Sequence, residues 1–418
     1  MSTTRISPRH GVVALALMLA LGLAPQARTA EDDAKLREQA LALNDITGND
    51  PIKGKIKEFI GNAAASKKLL AVAARMSKEK DQPFNFNAAQ ILATVSYAQK
   101  DYDTSERFYK ICLEQALKLQ SGQKIAQAYN GLINLYFETK KFAESEKLCK
   151  QFLELDDDSV GSAKVTIFVK MLRIMAREGK LDEANKLLDT RIKRRPDSWF
   201  LLKLKGQLQH EAGENEEAAK TYEHVLGLLD KDEDLAKEKE AKADQVHEVR
   251  YLLSGVYVDL NKVDKAAENL KALLADDPNN PTFNNDLGYI WADHDMNLDE
   301  SEKLIRKALK EDRKQRREDN PDIQPDEDKD NGAYLDSLGW VLYKQKKYKD
   351  AKKYLLEAVA DKDNQHTEIY DHLGDIHQAL GEKAEAVTAW KKAVEVAGPT
   401  KREQQRKAEV EKKLKAQP

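Results

Sequence analysis

Two groups of side chains near the C-terminus have residue types that could bind a metal ion, and the first is His372, Asp375 and His377. Imidazole and carboxylate groups are common metal ligands. Asp375 follows His372 by about one helical turn and could share a metal with it. His377, however, falls at a position expected to be buried between helices, so it should point elsewhere. We therefore predict no metal site and no cofactor here.

The second group is the acidic segment from Asp326 to Gly332, whose oxygen ligands alternate as in a calcium-binding loop. The sixth position of such a loop requires glycine, but Asn331 occupies it. The twelfth position is Ser337, which cannot supply a bidentate carboxylate. The sequence favours instead a charged loop that ends in an Asn-Gly helix start.

Catalytic groups are not evident elsewhere. The sequence lacks GxxxxGK[ST], GxSxG, HExxH and GxGxxG motifs. It contains 2 cysteines, Cys112 and Cys149, outside any CxxC or metal-ligand spacing. Both should pack on the buried faces of helices, while a disulfide between them stays open as an alternative. We predict no catalytic residue and no enzyme activity.

The first thirty residues have the layout of a secretory signal peptide. Arg5 and Arg9 form a basic start, residues 11–24 are almost wholly apolar, and small residues lead to Ala30. The sequence thus predicts an exported protein, either periplasmic or secreted, or peripherally associated with the envelope. An uncleaved anchor is the alternative, and no later segment is apolar enough to cross a membrane.

Charge argues against nucleic acid as a partner. Lysine and arginine total 69 against 72 acidic residues, which leaves a net charge of -3. A protein that displaces counterions from phosphates usually has a basic excess. Protein or peptide partners are therefore expected.

The elements that carry these residues follow a repeated pattern. A turn of small and charged residues precedes Ala184 and recurs before Ala218, 34 residues later. Small residues at equivalent places define eight units, and they are Ser105, Ser145, Ala184, Ala218, Ala266, Ser301, Ala351 and Ala386.

Each unit has the periodicity of two amphipathic helices. Leu335, Leu338 and Leu342 recur at three- and four-residue spacing, which places them on one helical face. A small residue early in the second helix leaves room for a close helix crossing. The repeated Leu-Gly pair of the first helix, as at Leu338-Gly339, indicates a second close contact.

The pattern resembles the tetratricopeptide repeat over about residues 85 to 397. Matching positions in two units are Tyr129, Leu132, Tyr136, Ser145 and Phe152, then Leu253, Tyr257, Ala266, Leu270 and Pro278. The resemblance implies an all-α, right-handed superhelical solenoid of about eight to nine helix-turn-helix repeats.

The C-terminal part is similar to a narrower group, the tetratricopeptide proteins of the bacterial cell envelope. The similarity lies in Asn285–Tyr289, Asp336–Trp340 and His372–Asp375. It implies a non-catalytic scaffold or adaptor that binds proteins, with a peptide-holding chaperone or an accessory subunit of a periplasmic enzyme as the alternative.

Two charged insertions interrupt the repeats and could be docking elements or solvated loops; the first is either a helical extension past the core or a mobile loop. The predicted organisation is a signal peptide (1–30), N-terminal helices that form a divergent repeat or a cap (31–84), repeats (85–228), a charged insertion (229–246), repeats (247–311), an acidic and polar loop (312–331), repeats (332–397) and a charged capping helix or tail (398–418).

The resemblance also implies a concave groove lined by the first helix of each repeat. Its predicted N-terminal part presents amides and aromatic rings, namely Asn87, Gln90, Tyr97, Asn130, Asn134 and Phe137. Its middle is a basic patch of Arg173, Arg177, Lys203 and His210, and its C-terminal end comprises Asp336, Trp340, Tyr343, Asp371 and Asp375. A lysine-and-asparagine clamp for a terminal carboxylate, found in some relatives, is not recognisable.

Overall fold

The computed structural model describes residues 32–79, 83–325, 327–361, 365–398 and 401–416, with the backbone alone at residues 401 and 402. The predicted signal peptide lies outside these residues, as does Asp326. The described residues form helices, turns and loops without any strand, which confirms the predicted all-α class. No helix among them is long and apolar enough to cross a membrane.

The helices are numbered in chain order, and α1 spans residues 32–42. Helices α2 to α20 span Asn49–Gly61, Ala63–Met76, Phe86–Ala98, Tyr102–Lys118, Gly122–Glu138, Phe142–Leu153, Gly161–Arg177, Leu181–Ile192, Trp199–Ala212, Asn215–Lys231, Lys239–Asp259, Val263–Asp276, Pro281–Asp293, Leu298–Asp319, Gly332–Lys344, Tyr348–Ala360, Thr367–Ala379, Lys383–Val396 and Lys401–Lys415. Eight consecutive helix pairs therefore run from α4 and α5 to α18 and α19, within the described ranges.

The small residue that marks each pair is fully buried in every case, at 0% exposure. Three of the pairs use serine, and each hydroxyl is hydrogen-bonded: those of Ser105 and Ser145 to the preceding helix, and that of Ser301 to the Met296 carbonyl in the turn, at 3.5 Å. Ser105 donates to the Ala93 carbonyl at 3.0 Å, and Ser145 donates to the Ile133 carbonyl at 2.9 Å. A hydroxyl is tolerated at these buried crossings because it is hydrogen-bonded.

The turns inside the pairs reverse the chain through one residue with a positive φ. Gly213 adopts 80°, which costs glycine little, whereas Lys140 and Lys346 adopt 58° and 64°. The turn before Leu298 is longer than the others, and Asp295 and Asn297 both have positive φ there.

The chain divides into two compact units, with residues up to Leu187 in the first and residues from Leu188 onward in the second. In the second unit, one apolar core is shared by α11 to α14 and another by helices from α14 to α19. In the first unit, fully buried Phe108 and Phe152 lie in α5 and α7. Each core is continuous between consecutive pairs because one pair cannot bury its apolar face alone.

The structure favours a helical extension for most of the first insertion and corrects the predicted limits of the second. Within 229–246, helix α11 continues to Lys231 and α12 begins at Lys239, so most of the insertion extends these helices. Within 312–331, residues 312–319 continue α15 rather than forming a loop. The high charge does not disrupt this helix because Arg316 pairs with Asp312 one turn earlier, at 2.7 Å.

Three glycines in first helices lie where that helix crosses the second helix of its own pair. A Cβ added to Gly288 would lie 2.7 Å from Cγ1 of Ile305 and 2.9 Å from the backbone oxygen of Ser301. Added carbons at Gly339 and Gly374 would overlap side chains of α17 and α19. Mid-helix glycine is thus required by packing in these repeats.

Substitution of Gly288 by alanine is expected to lower the free energy of unfolding by about 1–3 kcal/mol, because the Ser301 backbone must shift. Gly255 in α12 is the matched control, since a Cβ there meets nothing within 4 Å. Gly255→Ala should instead stabilise the helix by about 0.5–1 kcal/mol. Urea denaturation followed by circular dichroism measures both. Effects of equal sign and size would contradict the packing explanation.

Candidate binding surfaces

The predicted N-terminal groove residues lie on α4 and α6, the first helices of the first two pairs. Three of them, Gln90, Asn130 and Asn134, come together around one open pocket of about 200 Å³. We name it the amide pocket, and its lining residues are Phe86, Gln90, Thr94, Tyr109, Cys112, Gln127, Ala128, Asn130, Gly131 and Asn134. The lining contains no charged side chain, so the pocket suits an uncharged group.

Lys170 of α8 reaches the edge of the amide pocket and fixes its two asparagines. Its Nζ lies 2.5 Å from Oδ1 of Asn130 and 2.6 Å from Oδ1 of Asn134. An ammonium group only donates hydrogen bonds, so both amide oxygens must face the lysine. Burial lowers the pKa of Lys170. The two NH₂ groups are consequently the parts of these amides left to bind a ligand.

The sequence pattern did not indicate Lys170, although the lysine and the asparagines form one cluster in the structure. Lys170 lies on the third helix pair, and the asparagines lie on the second. Lys170 could have been identified from its position on a first helix, close to the predicted groove residue Arg173.

The remaining predicted residues of this part line the face outside the amide pocket. Asn87 donates to the Ile46 carbonyl at 3.0 Å and is thus held by the N-terminal segment. Tyr97 and Phe137 each contact the first residue of the next helix. The ring of Tyr97 lies edge to face with Tyr102 at a centroid distance of 6.0 Å, and the ring of Phe137 lies edge to face with Phe142 at 5.5 Å. Phe137 stays 36% exposed, which leaves apolar area for a partner.

The predicted basic patch is wrong for its second-unit members. Lys203 is buried and donates to Glu248 at 2.6 Å and to Gln245 at 2.9 Å. His210 lies 2.7 Å from Asp259. Acidic residues on α12 therefore neutralise this surface.

Arg173 and Arg177 belong to the first unit, where both lie exposed on α8. They are solvent-facing charges one helical turn apart. Of the four residues predicted for the basic patch, these two are the ones that remain open to a ligand.

The predicted open acidic end is also wrong, because helix α20 covers it. Lys413 of α20 lies 2.6 Å from Asp371 and 2.7 Å from both oxygens of Asp375. Arg406, two turns earlier, binds Glu368 at 2.6 Å and Asp371 at 3.3 Å. We name Glu368, Asp371 and Asp375 of α18 the acidic face. Its carboxylates are paired within the chain.

Next to the acidic face, Asp336 and His372 form a buried pair. Oδ1 of Asp336 lies 2.9 Å from Nδ1 of His372, and the two residues are 5% and 0% exposed. Trp340 stacks on the imidazole at 4.0 Å and on Tyr343 at 4.9 Å. The Trp340 indole also donates to Asp293 at 3.0 Å. These predicted groove residues therefore serve as packing between repeats.

The metal candidates are engaged in other contacts. His372 binds Asp336, Asp375 accepts from Lys413 and from the Trp390 indole, and His377 lies 2.5 Å from Glu382. Across the described residues, no three histidine, cysteine, aspartate or glutamate side chains form a metal-binding group.

The suspected calcium segment is held by arginines of α15. Asp328 accepts from Arg316 at 2.9 Å and from Arg317 at 2.7 Å, and Asp330 accepts from Arg313. Asn331 caps α16 by accepting from the backbone of Ala333 at 3.0 Å. This confirms the predicted Asn-Gly helix start.

Cys112 and Cys149 are both buried free thiols, in α5 and α7. Burial raises the pKa of both, that of Cys149 to about 12. A thiol with so high a pKa is almost entirely protonated near neutrality and is a poor nucleophile. These cysteines therefore pack as small apolar residues.

Family models described as tetratricopeptide repeat match residues 175–233, 251–316, 332–362 and 367–399. A TPR repeat-containing protein of Pseudomonas aeruginosa is 28% identical over 243 residues, covering 57% of this chain. The match covers 36% of that protein, so this chain spans about a third of its length.

The solved structures similar to this chain include the following two. A tetratricopeptide repeat protein from Parabacteroides merdae is 15% identical with a TM-score of 0.46, covering 70% of this chain and 99% of its own. MamA from Desulfovibrio magneticus is 17% identical with a TM-score of 0.35, covering 47% and 97%.

Proposed function

Because this chain is a tetratricopeptide-repeat protein, we propose that it is a non-catalytic scaffold that binds segments of partner proteins along the first helices of its repeats. We also propose that it acts in the bacterial cell envelope, as an exported adaptor. Support for the location comes from the signal-peptide layout of residues 1–30 and from the envelope-type pattern of the last three repeats.

The observation that carries the proposal is the orientation of the asparagine amides by Lys170. The lysine occupies both amide oxygens, so Asn130 and Asn134 present two neighbouring NH₂ donors. These residues lie four positions apart on α6, so their side chains share one helical face. Two donors so placed match the carbonyl oxygens of a peptide backbone.

The surroundings of these donors favour an uncharged polar segment. Gln90 and Gln127 add two further amides to the amide pocket, and each can donate or accept. The ring of Tyr109 lies so close to Gly131 that a Cβ there would overlap it, which gives the pocket an aromatic wall. Backbone carbonyls can thus bind the amides while one side chain of the segment enters the pocket.

Replacing Asn130 and Asn134 together by alanine is expected to weaken partner capture about 10-fold or more, since each lost hydrogen bond contributes about 1 kcal/mol. Crosslinked affinity purification from the envelope fraction, with quantification of each captured protein, measures the loss. Lys170→Met should reduce capture less, because it frees the amides without removing them.

The matched control is Gln123→Ala, which truncates an exposed amide on the same helix outside the amide pocket. Circular dichroism should show unchanged helicity in all variants. Capture that is unaltered in the double variant, or lost equally in the control, would rule out the amide pocket as the binding site.

A further inference from the structure

Helix α20 is held on the repeats by a small apolar contact and by a set of ion pairs. Of its described side chains, only Val410 is fully buried, against Ala386, Trp390 and Ala393 of α19. Most of the remaining side chains are charged or polar and partly or fully exposed. Partly buried Leu414 packs against the same cluster, so the apolar contact of α20 is limited to these two side chains.

The ion pairs of α20 have a defined spacing. Arg406 and Lys413 are seven residues apart, so they project from the same helical face with Val410 between them. They meet the acidic face, whose carboxylates are themselves spaced along about two turns of α18. A basic residue, an apolar residue and a second basic residue therefore form the element that this surface recognises.

The acidic face requires a cationic occupant. Asp371 is 2% exposed and accepts from both Arg406 and Lys413. A carboxylate in such a place is costly unless it is paired. An uncharged or acidic helix would leave it unpaired, so charge excludes most other ligands.

Helix α20 nevertheless does not satisfy all polar groups of α18. Among the described residues, Thr367 Oγ1 and His372 Nε2 are buried without a hydrogen-bond partner. The cationic ends of these ion pairs are partly exposed, since the side chains of Arg406 and Lys413 are 22% and 32% exposed, so salt can screen them. The intramolecular occupant is therefore suited to be displaced.

We propose that the acidic face is a second docking surface, which takes a basic amphipathic helix of a partner protein, and that α20 is the competing occupant from the same chain. This second docking surface rests on the proposed function in one respect, namely that the chain binds proteins. The surface lies in the second unit, and its ligand differs in charge from that of the amide pocket.

A fluorescent synthetic peptide of residues 401–416 tests the proposal by anisotropy with the full-length protein. Tethering gives α20 an effective concentration of roughly millimolar, so wild type should bind the free peptide poorly. Arg406→Glu with Lys413→Glu removes the competitor, and we expect at least about 10-fold tighter binding of the peptide. Salt raised from about 50 to about 500 mM should weaken that binding.

The matched control is Lys412→Glu with Lys415→Glu, which makes the same charge change at two exposed positions of α20. It should bind the peptide as weakly as wild type does. In the Arg406→Glu, Lys413→Glu background, adding Asp371→Asn and Asp375→Asn should abolish binding while circular dichroism shows intact helices.

Peptide binding that does not increase in the Arg406→Glu, Lys413→Glu protein would overturn the proposal, as would binding that survives the two asparagine substitutions. A concentration-dependent dimer of wild type that the charge reversal abolishes would assign the surface to a second copy instead. Capture that depends on Asn130 and Asn134 should be unaffected by all tail variants, so failure of either proposal can be recognised separately.

Discussion

Replacing Asp336 by alanine is expected to lower the free energy of unfolding of the second unit by about 3–5 kcal/mol. The carboxylate is the partner of Nδ1 of His372, which is 0% exposed. Nε2 of this histidine already lacks a partner among the described residues. Without Asp336 the buried imidazole would lose its remaining hydrogen bond and its compensating charge. Urea denaturation followed by circular dichroism measures the change.

Asp336→Asn is the matched control because the amide oxygen can still accept from Nδ1 while the charge is removed. We expect it to cost clearly less than the alanine variant, about 1–2 kcal/mol. An alanine variant as stable as wild type would mean that the buried pair does not contribute to the stability of these repeats.

The same pair predicts how stability depends on pH. Burial acts to lower the pKa of His372, but the charge and hydrogen bond of Asp336 outweigh it and raise the pKa above 6.5. The folded state then holds this proton more tightly than the unfolded chain does. The stability that this difference contributes is complete below about pH 6.5 and is lost as the pH rises through the pKa of His372 in the folded state.

Denaturation between about pH 6 and about pH 9 should therefore show falling stability in wild type. Asp336→Asn should flatten this slope because the amide cannot stabilise the imidazolium. A slope that persists unchanged in the variant would assign the pH dependence to other groups.

The repeat architecture could be predicted from the sequence because its determinants are local. A close crossing admits only a small side chain, so Ala351 and Ser301 mark their pairs whatever surrounds them. Similarly, Asn331 supplies its own cap to the backbone two and three residues later. The small residue recurs in each unit, so a single sequence contains this local signal eight times.

The sequence could not predict which groove side chains are exposed and which are paired, because their partners lie one repeat away. Periodicity shows that Lys203 and Asp371 belong to first helices, but it does not show what faces them. Glu248 and Lys413 supply that information, and they lie 45 and 42 residues from their partners along the chain. Polar residues that the pattern assigns to an open groove are therefore paired by complementary charges on α12 and α20.

Packing and binding in the first unit should respond to different phenylalanines. Phe108 of α5 is fully buried and meets Phe84 edge to face at 5.5 Å. Phe108→Ala is expected to lower the free energy of unfolding by about 3–5 kcal/mol, since it leaves a cavity beneath the groove helices. Thermal and urea denaturation measure this loss.

Phe137→Ala removes the same side chain from the exposed groove face and should cost about 1 kcal/mol or less, because the ring is 36% exposed and pairs edge to face with Phe142. If the groove binds partners, this variant should lose capture about 5- to 10-fold although it remains folded, since an exposed aromatic ring supplies contact area. Equal stability losses in the two variants would contradict the assigned core, whereas unaltered capture by Phe137→Ala would remove this ring from the binding surface. The pair of variants separates a residue that holds the repeats together from one that the folded repeats present to a partner.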